Sequence, residues 1–258
     1  MFMKYIGSVT TDVGNIKKTN QDSLCIKVAE TKRYGQVALA VVCDGMGGLS
    51  KGELASATVI RAFSDWFVND FAKMIDNFSW EVVAAQWKNL IVRENQELLE
   101  YGKMHGVNLG TTLTAMVFVG REYLIAHVGD TRAYLINSGI KQLTEDQTFI
   151  AREIRNGRMT VEEAKTDSRK NMLLQCIGAS REVTPDQIRG QVEENAIYMM
   201  CSDGFRHMIS EQEMYEHLNP DVLIGLEQMN QKGRFLVDTV KHRNERDNIS
   251  VLLIKTNS

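Results

Sequence analysis

The sequence predicts an α+β fold in which two antiparallel β-sheets pack face to face with helices on both outer sides, a four-layer α-β-β-α sandwich. Three observations carry this. Short apolar, β-branched segments come in blocks; amphipathic helical segments lie between the blocks instead of after every strand; and turn residues separate neighbouring strands closely enough for hairpins. The 258 residues suffice for one sizeable core and are read as a single domain, 1–258.

In chain order, the first block reads as strands over 5–9, 24–28 and 37–43. Ile60, Phe63, Phe67, Phe71 and Met74 then recur at helical spacing, as do Val83, Trp87, Leu90 and Leu98, so two helices present apolar stripes to a core. Residues 101–109 read as a glycine-containing loop. A meander follows over 111–119, 123–128 and 132–137, punctuated at Gly120 and Gly129. Residues 147–182 read as a mixed, mostly helical subregion, with a capping box at Thr160 to Glu163. Another strand ends at Asp203, a capping box at Ser210 to Glu213 opens a helix, a longer helix covers 221–241, and the last strand begins at Ile249.

Composition excludes several classes. The apolar share is 43%, the charged share 24% and the formal net charge −3, an ordinary balance that disfavours nucleic acid as the main partner. Cys25, Cys43, Cys176 and Cys201 lack paired spacing and read as reduced core thiols, which points to the cytoplasm. No apolar run reaches membrane length, and residues 1–6 do not read as a leader; the expectation is a soluble, untargeted protein without membrane or nucleic-acid partners.

Acids at strand ends carry the chemistry. Val37 to Cys43 stops at Asp44-Gly45-Met46-Gly47-Gly48; Tyr123 to Val128 stops at Gly129-Asp130; Tyr198 to Cys201 stops at Ser202-Asp203-Gly204. Asp22 and Asp247 instead open strands. If these strands belong to adjoining sheets, the five acids converge, and carboxylates crowded in one cleft repel unless a cation neutralises them. An all-oxygen donor set suits Mg²⁺ or Mn²⁺.

The sequence resembles the metal-dependent serine/threonine protein phosphatases of the PP2C (PPM) family in their compact bacterial form. The likeness spans nearly the whole chain and keeps the family order: Gly14 to Asp22, Asp44 to Gly48, Gly110-Thr111-Thr112, Val128 to Arg132, Leu143 to Asp146, Cys201 to Gly204 and Asp247-Asn248-Ile249. It implies hydrolysis of phosphoserine and phosphothreonine by a metal-bridging hydroxide at two Mn²⁺ or Mg²⁺ ions roughly 3.5–4 Å apart. By the same resemblance Asp44 bridges the ions with the Gly45 carbonyl as a further ligand, Asp203 and Asp247 hold one ion, and Asp22 acts through water. Asp130 with Asp203 marks a third, weaker site, and Asn248 fixes a loop behind the ligands.

Two positions depart from the family pattern. Lys17 stands where an arginine usually grips the substrate phosphate, keeping charge but losing the two-pronged fork. Met46 and Leu49 stand near the place of a histidine seen in many relatives, so neither offers a general acid. His127 reads as a satisfied buried residue, and His105, His207, His217 and His242 show no metal spacing. Arg152, Arg155, Arg158, Arg169 and Lys170 fall in a flap over 147–182 and read either as attractors of acidic phosphopeptides or as a solvated face. The implied partners are phosphorylated Ser/Thr proteins and a cognate kinase. The alternative is a phosphatase-fold module that binds phosphoproteins with little catalysis; a two-metal nuclease shares the acids but lacks a basic stripe.

Overall fold

The computed structural model describes residues 2–46 and 51–257. The Gly47-Gly48 pair and Leu49 lie outside them. Among the described residues ten strands fall into two sheets, every neighbouring pair antiparallel. Sheet A joins β1 (Lys4–Asp12), β10 (Ile249–Asn257), β9 (Ile197–Cys201), β6 (Arg132–Ile136) and β7 (Ile140–Gln142) in that spatial order. Sheet B joins β2 (Asp22–Thr31), β3 (Gly35–Asp44), β4 (Leu113–Val119), β5 (Glu122–Val128) and β8 (Asp186–Gln191). The main helices are α1 (Gly52–Asp65), α2 (Trp80–His105), α3 (Phe149–Arg155), α4 (Val161–Thr166), α5 (Asp203–Arg206), α6 (Glu211–Leu218) and α7 (Leu226–His242).

Strand β3 shows why the layers form. Val37, Leu39, Val41 and Cys43 point to one side and pack with Phe63, Trp66, Trp87 and Ile91 of the α1 and α2 layer. Ala38, Ala40 and Val42 point to the other side, against Tyr5, Tyr198, Leu252 and Ile254 of sheet A. A strand apolar on both faces must be covered on both. Sheet A repeats the arrangement: Met199, Cys201, Val251 and Leu253 meet Leu236, Val237 and Val240 of α7. Three apolar contacts therefore separate four layers.

The structure moves several sequence boundaries. The expected loop over 101–109 is helical through His105, and the helix closes at Gly106, whose N–H bonds back to the Gly102 carbonyl. One glycine at position 102 did not stop a helix already buried along one face. The stripe ending at Met74 is α1 followed by a π-helical turn, Trp66–Phe71, and shorter helical turns to Asn77. The strand expected from Thr111 starts at Leu113, because Thr111 makes isolated bridges to Gly45 and Ile177. The helix expected from 221 starts at Leu226, since Asn219 first turns the chain back through its carbonyl and side chain. Edge strands β7 and β8 were not anticipated: their solvent-facing sequences carry no apolar alternation, and main-chain pairing to β6 and β5 creates them. No helix among the described residues is long and apolar enough to cross a membrane.

Trp87 is fully buried between sheet B and α1, edge-on to Phe63 and Trp66 at 5.2 and 5.3 Å, and its indole N–H has no hydrogen-bond partner among the described residues. Trp87→Ala is expected to lower the unfolding free energy by about 3–5 kcal/mol in a urea titration. Trp87→Phe should cost far less, because it also removes an unsatisfied donor; equal losses in the two variants would overturn this account.

Candidate active site

The five strand-end acids come from both sheets to one end of the sandwich. Asp22 and Asp44 stand directly opposite each other in the β2–β3 register. Asp203 opens α5 just after β9, and Asp247 sits two residues before β10, so both belong to sheet A. Asp130 lies between β5 and β6, where the chain passes from sheet B to sheet A. Opposed sheets thus supply opposed carboxylates.

Backbone contacts hold these ends together. The Asp44 N–H donates to Thr112 Oγ1 at 2.9 Å, and its carbonyl accepts from the Thr112 N–H and the Thr111 hydroxyl at 2.9 and 3.0 Å. Gly45 lies so close to the Gly52 and Gln21 carbonyls that a Cβ would sit 2.3 and 2.6 Å from their oxygens. A Cβ on Gly204 would be 2.1 Å from the Asn248 carbonyl oxygen, so α5 can lie this close to the segment before β10 only because that position is bare. Asn248, 3% exposed, accepts from the Gln21 N–H at 2.9 Å and donates to the Val13 and Thr19 carbonyls at 2.9 and 3.2 Å. One amide therefore ties the β1–β2 loop, which carries Lys17, to the Asp247 segment.

Electrostatics at the floor are unfavourable without a counter-charge. Burial and then the neighbouring Asp203 and Asp247 push the Asp22 carboxyl up to about 7. The Ser202 and Ser250 hydroxyls lie beside it without completing a hydrogen bond, so both Asp22 oxygens and Asp203 Oδ1 lack partners among the described residues. Asp44 is partly exposed as a residue, but its carboxyl group lies deep, and burial followed by Asp22, Asp203, Asp130 and Asp247 raises it well above the usual range. Asp130 is likewise raised to about 7, first by burial and then by Asp203. Orphaned, crowded, all-oxygen donors fit divalent cations. As the side chains stand, no three acidic, imidazole or thiol groups among the described residues close on one point.

Cationic side chains sit at both ends of the cluster. Lys17 Nζ is 2.9 Å from Asp247 Oδ1. Arg206, one helical turn after Asp203, places Nη2 3.5 Å from Asp130 Oδ2 and 3.4 Å from Asp146 Oδ2. Asp146 is also gripped by Arg132 through two bonds of 2.7 Å. His207 lies between Asp203 Oδ2 at 3.6 Å and Glu245 Oε2 at 3.5 Å, and the Glu245 contact raises its pKa. Glu245 Oε1 in turn accepts the Arg246 and Asp247 N–H groups. Arg206, His207 and Glu245 were not singled out from the sequence. The available signal was spacing, since residues three and four after Asp203 share its side of a helix.

Other candidates fall outside the carboxylate cluster. His127 is fully buried; Nε2 is 3.1 Å from the Glu145 carbonyl and therefore donates, while Nδ1 accepts from the Thr114 hydroxyl at 3.0 Å. Burial lowers its pKa, which favours the neutral ring. All four cysteines are free thiols. Asp130, Asp203 and Asp247 line a cleft of about 860 Å³ that continues along α3 and α4; a depression of about 710 Å³ between α1 and α2 contains none of the five acids.

Known proteins resemble this chain over nearly its whole length. A family model described as protein phosphatase 2C matches residues 16–239. The serine/threonine phosphatase Stp of Listeria innocua is 30% identical over 250 residues, covering 96% of this chain and 94% of that protein. The structure of the Streptococcus agalactiae serine/threonine phosphatase superposes with a TM-score of 0.83 at 30% identity, over 98% of this chain and 99% of the other. The catalytic domain of the phosphatase PstP, solved in complex with two manganese ions, superposes with a TM-score of 0.77 at 25% identity, over 99% of this chain and 100% of the other.

Asp146 supports the cleft wall through Arg132 and Arg206. Burial would raise its pKa, but the Arg132 hydrogen bonds and the Arg206 charge outweigh burial and leave it below the usual carboxylate value. Its contribution is thus present above a pH of about 4 and lost as pH falls through the depressed folded value. Asp146→Asn should cost about 3 kcal/mol at neutral pH, and the gap to the parent protein should narrow in acid. An equal gap at both pH values, read by urea denaturation, would remove the ion pair from the explanation.

Proposed function

Since the chain belongs to the protein phosphatase 2C family and is a serine/threonine protein phosphatase, we propose that its five converging acids form a two-cation centre for phosphoserine and phosphothreonine hydrolysis. Dependence on divalent cations is general for the family. The partnerless buried oxygens of Asp22 and Asp203 support the reading most directly. Bound Mn²⁺ or Mg²⁺ would neutralise the phosphate dianion and make a water acidic enough to attack phosphorus. In this reading Asp44 would serve both ions with the Gly45 carbonyl as a further ligand, Asp203 and Asp247 would serve one, Asp22 would act through water, and Asp130 with Asp203 would offer a third, weaker place. Asn248 keeps the loops behind these ligands in register.

Protein side chains then orient the phosphoester. Lys17, on the loop pinned by Asn248, would take a phosphate oxygen in exchange for its contact with Asp247. A single ammonium makes one directional contact where an arginine fork makes two, so phosphate binding is weaker than an arginine would provide. The catalytic unit is 1–258, with 147–182 as its flap. Four free thiols support a reducing, cytoplasmic setting, and the activity calls for a kinase that acts on the same proteins.

Purified protein is expected to hydrolyse a phosphothreonine peptide with Mn²⁺, to stop with EDTA, and to lose at least about 10³-fold in kcat as Asp44→Asn. No turnover from folded, Mn²⁺-loaded protein would defeat catalysis and leave phosphoprotein binding as its role. Lys17→Ala should raise KM about tenfold with a smaller change in kcat. An unchanged KM would take Lys17 out of the phosphate site.

A further inference from the structure

The cleft that holds the carboxylates continues past them to an apolar wall. Ile150 and Ile154 of α3, Val161 and Ala164 of α4, and Met208 after α5 line it together with Asp130, Asp203 and Asp247. Ile150 and Ile154 are four residues apart and share one side of their helix. The flap arginines are engaged elsewhere. Arg152 and Arg158 pair with Glu153 at 3.1 and 2.8 Å, Arg155 with Glu145 at 2.7 Å, and Arg169 with Asp167 at 2.7 Å. What the flap turns toward the cleft is therefore largely hydrocarbon.

Val161 is 60% exposed and Met208 39% exposed, large apolar side chains left open on the walls of a cleft that must receive a protein chain. Lys170 and Arg246 also line the cleft, and no ion-pair partner is found for either among the described residues, so the rim favours a phosphate-bearing peptide. Hydrocarbon beside a phosphate-hydrolysing centre gains most from covering another hydrocarbon side chain.

Resting on the phosphatase reading, we propose that this wall is a subsite for an apolar side chain flanking the phosphorylated serine or threonine. The phosphoester seats at the carboxylates while the flanking side chain lies against Ile154, Val161 and Met208. Selection among phosphoproteins would then follow hydrophobicity near the phosphate more than surrounding acidity.

The test uses the Mn²⁺-loaded full chain and phosphothreonine peptides carrying Leu, Ser or Glu in turn at each flanking position. At one position Leu should raise kcat/KM about tenfold over Ser, and Glu should not. The Leu-to-Ser ratio should fall toward one in Val161→Ser and Met208→Ser, a readout that a general loss of folded enzyme leaves unmoved. Absence of any Leu preference, a preference for Glu, or a Leu preference that survives both substitutions would overturn the proposal. Hydrolysis of p-nitrophenyl phosphate by the parent protein separates the two levels: turnover there without Leu preference rejects the subsite alone, whereas no turnover rejects the phosphatase centre and the subsite with it.

Discussion

Mutual repulsion among Asp22, Asp44, Asp130, Asp203 and Asp247 is the constraint around which the rest of the molecule is arranged. Burial raises three of these groups because desolvation and like charge act in the same direction. Partnerless oxygens on Asp22 and Asp203 add an unmet hydrogen-bonding demand. A fold gains nothing in stability from such a cluster by itself. The surrounding layers must hold it in place against its own repulsion.

The supporting structure works at two distances. Close in, bare positions at Gly45 and Gly204 let segments from different parts of the chain approach, and Asn248 bonds the β1–β2 loop to the Asp247 segment. Farther out, Arg132, Asp146 and Arg206 form a partly buried ion-pair chain beside Asp130, while Glu245 links His207 to the Asp247 backbone. These groups place charge beside the acids. The same end of the sandwich continues into the apolar wall of α3 and α4, so one cleft combines a charged floor with a hydrocarbon side.

Much of this was legible from residue order. The uninterrupted apolar run from Val37 to Cys43 announced a buried strand, and the acids at strand ends announced a polar edge. Local signals misplaced what depended on distant contacts. Tyr101 to His105 is helical because α2 is already anchored by Leu90, Ile91 and Leu98. The strands β7 and β8 exist because β6 and β5 present open edges to them. The flap arginines looked available in a linear reading, but acids close in space have already engaged them.

The sequence by itself determined the layer pattern and the identity of the converging acids, because hydrophobic periodicity and residue type are properties of neighbouring positions. Tertiary structure alone decided which acid faces which: Asp22 meets Asp44 through strand register, while Asp203 and Asp247 reach them from the other sheet. It alone joined Lys17 to Asp247, Arg206 to Asp130 and Glu245 to His207. Lys17 and Asp247 are brought together by sheet pairing and loop contacts across almost the whole chain, and no local rule encodes that pairing.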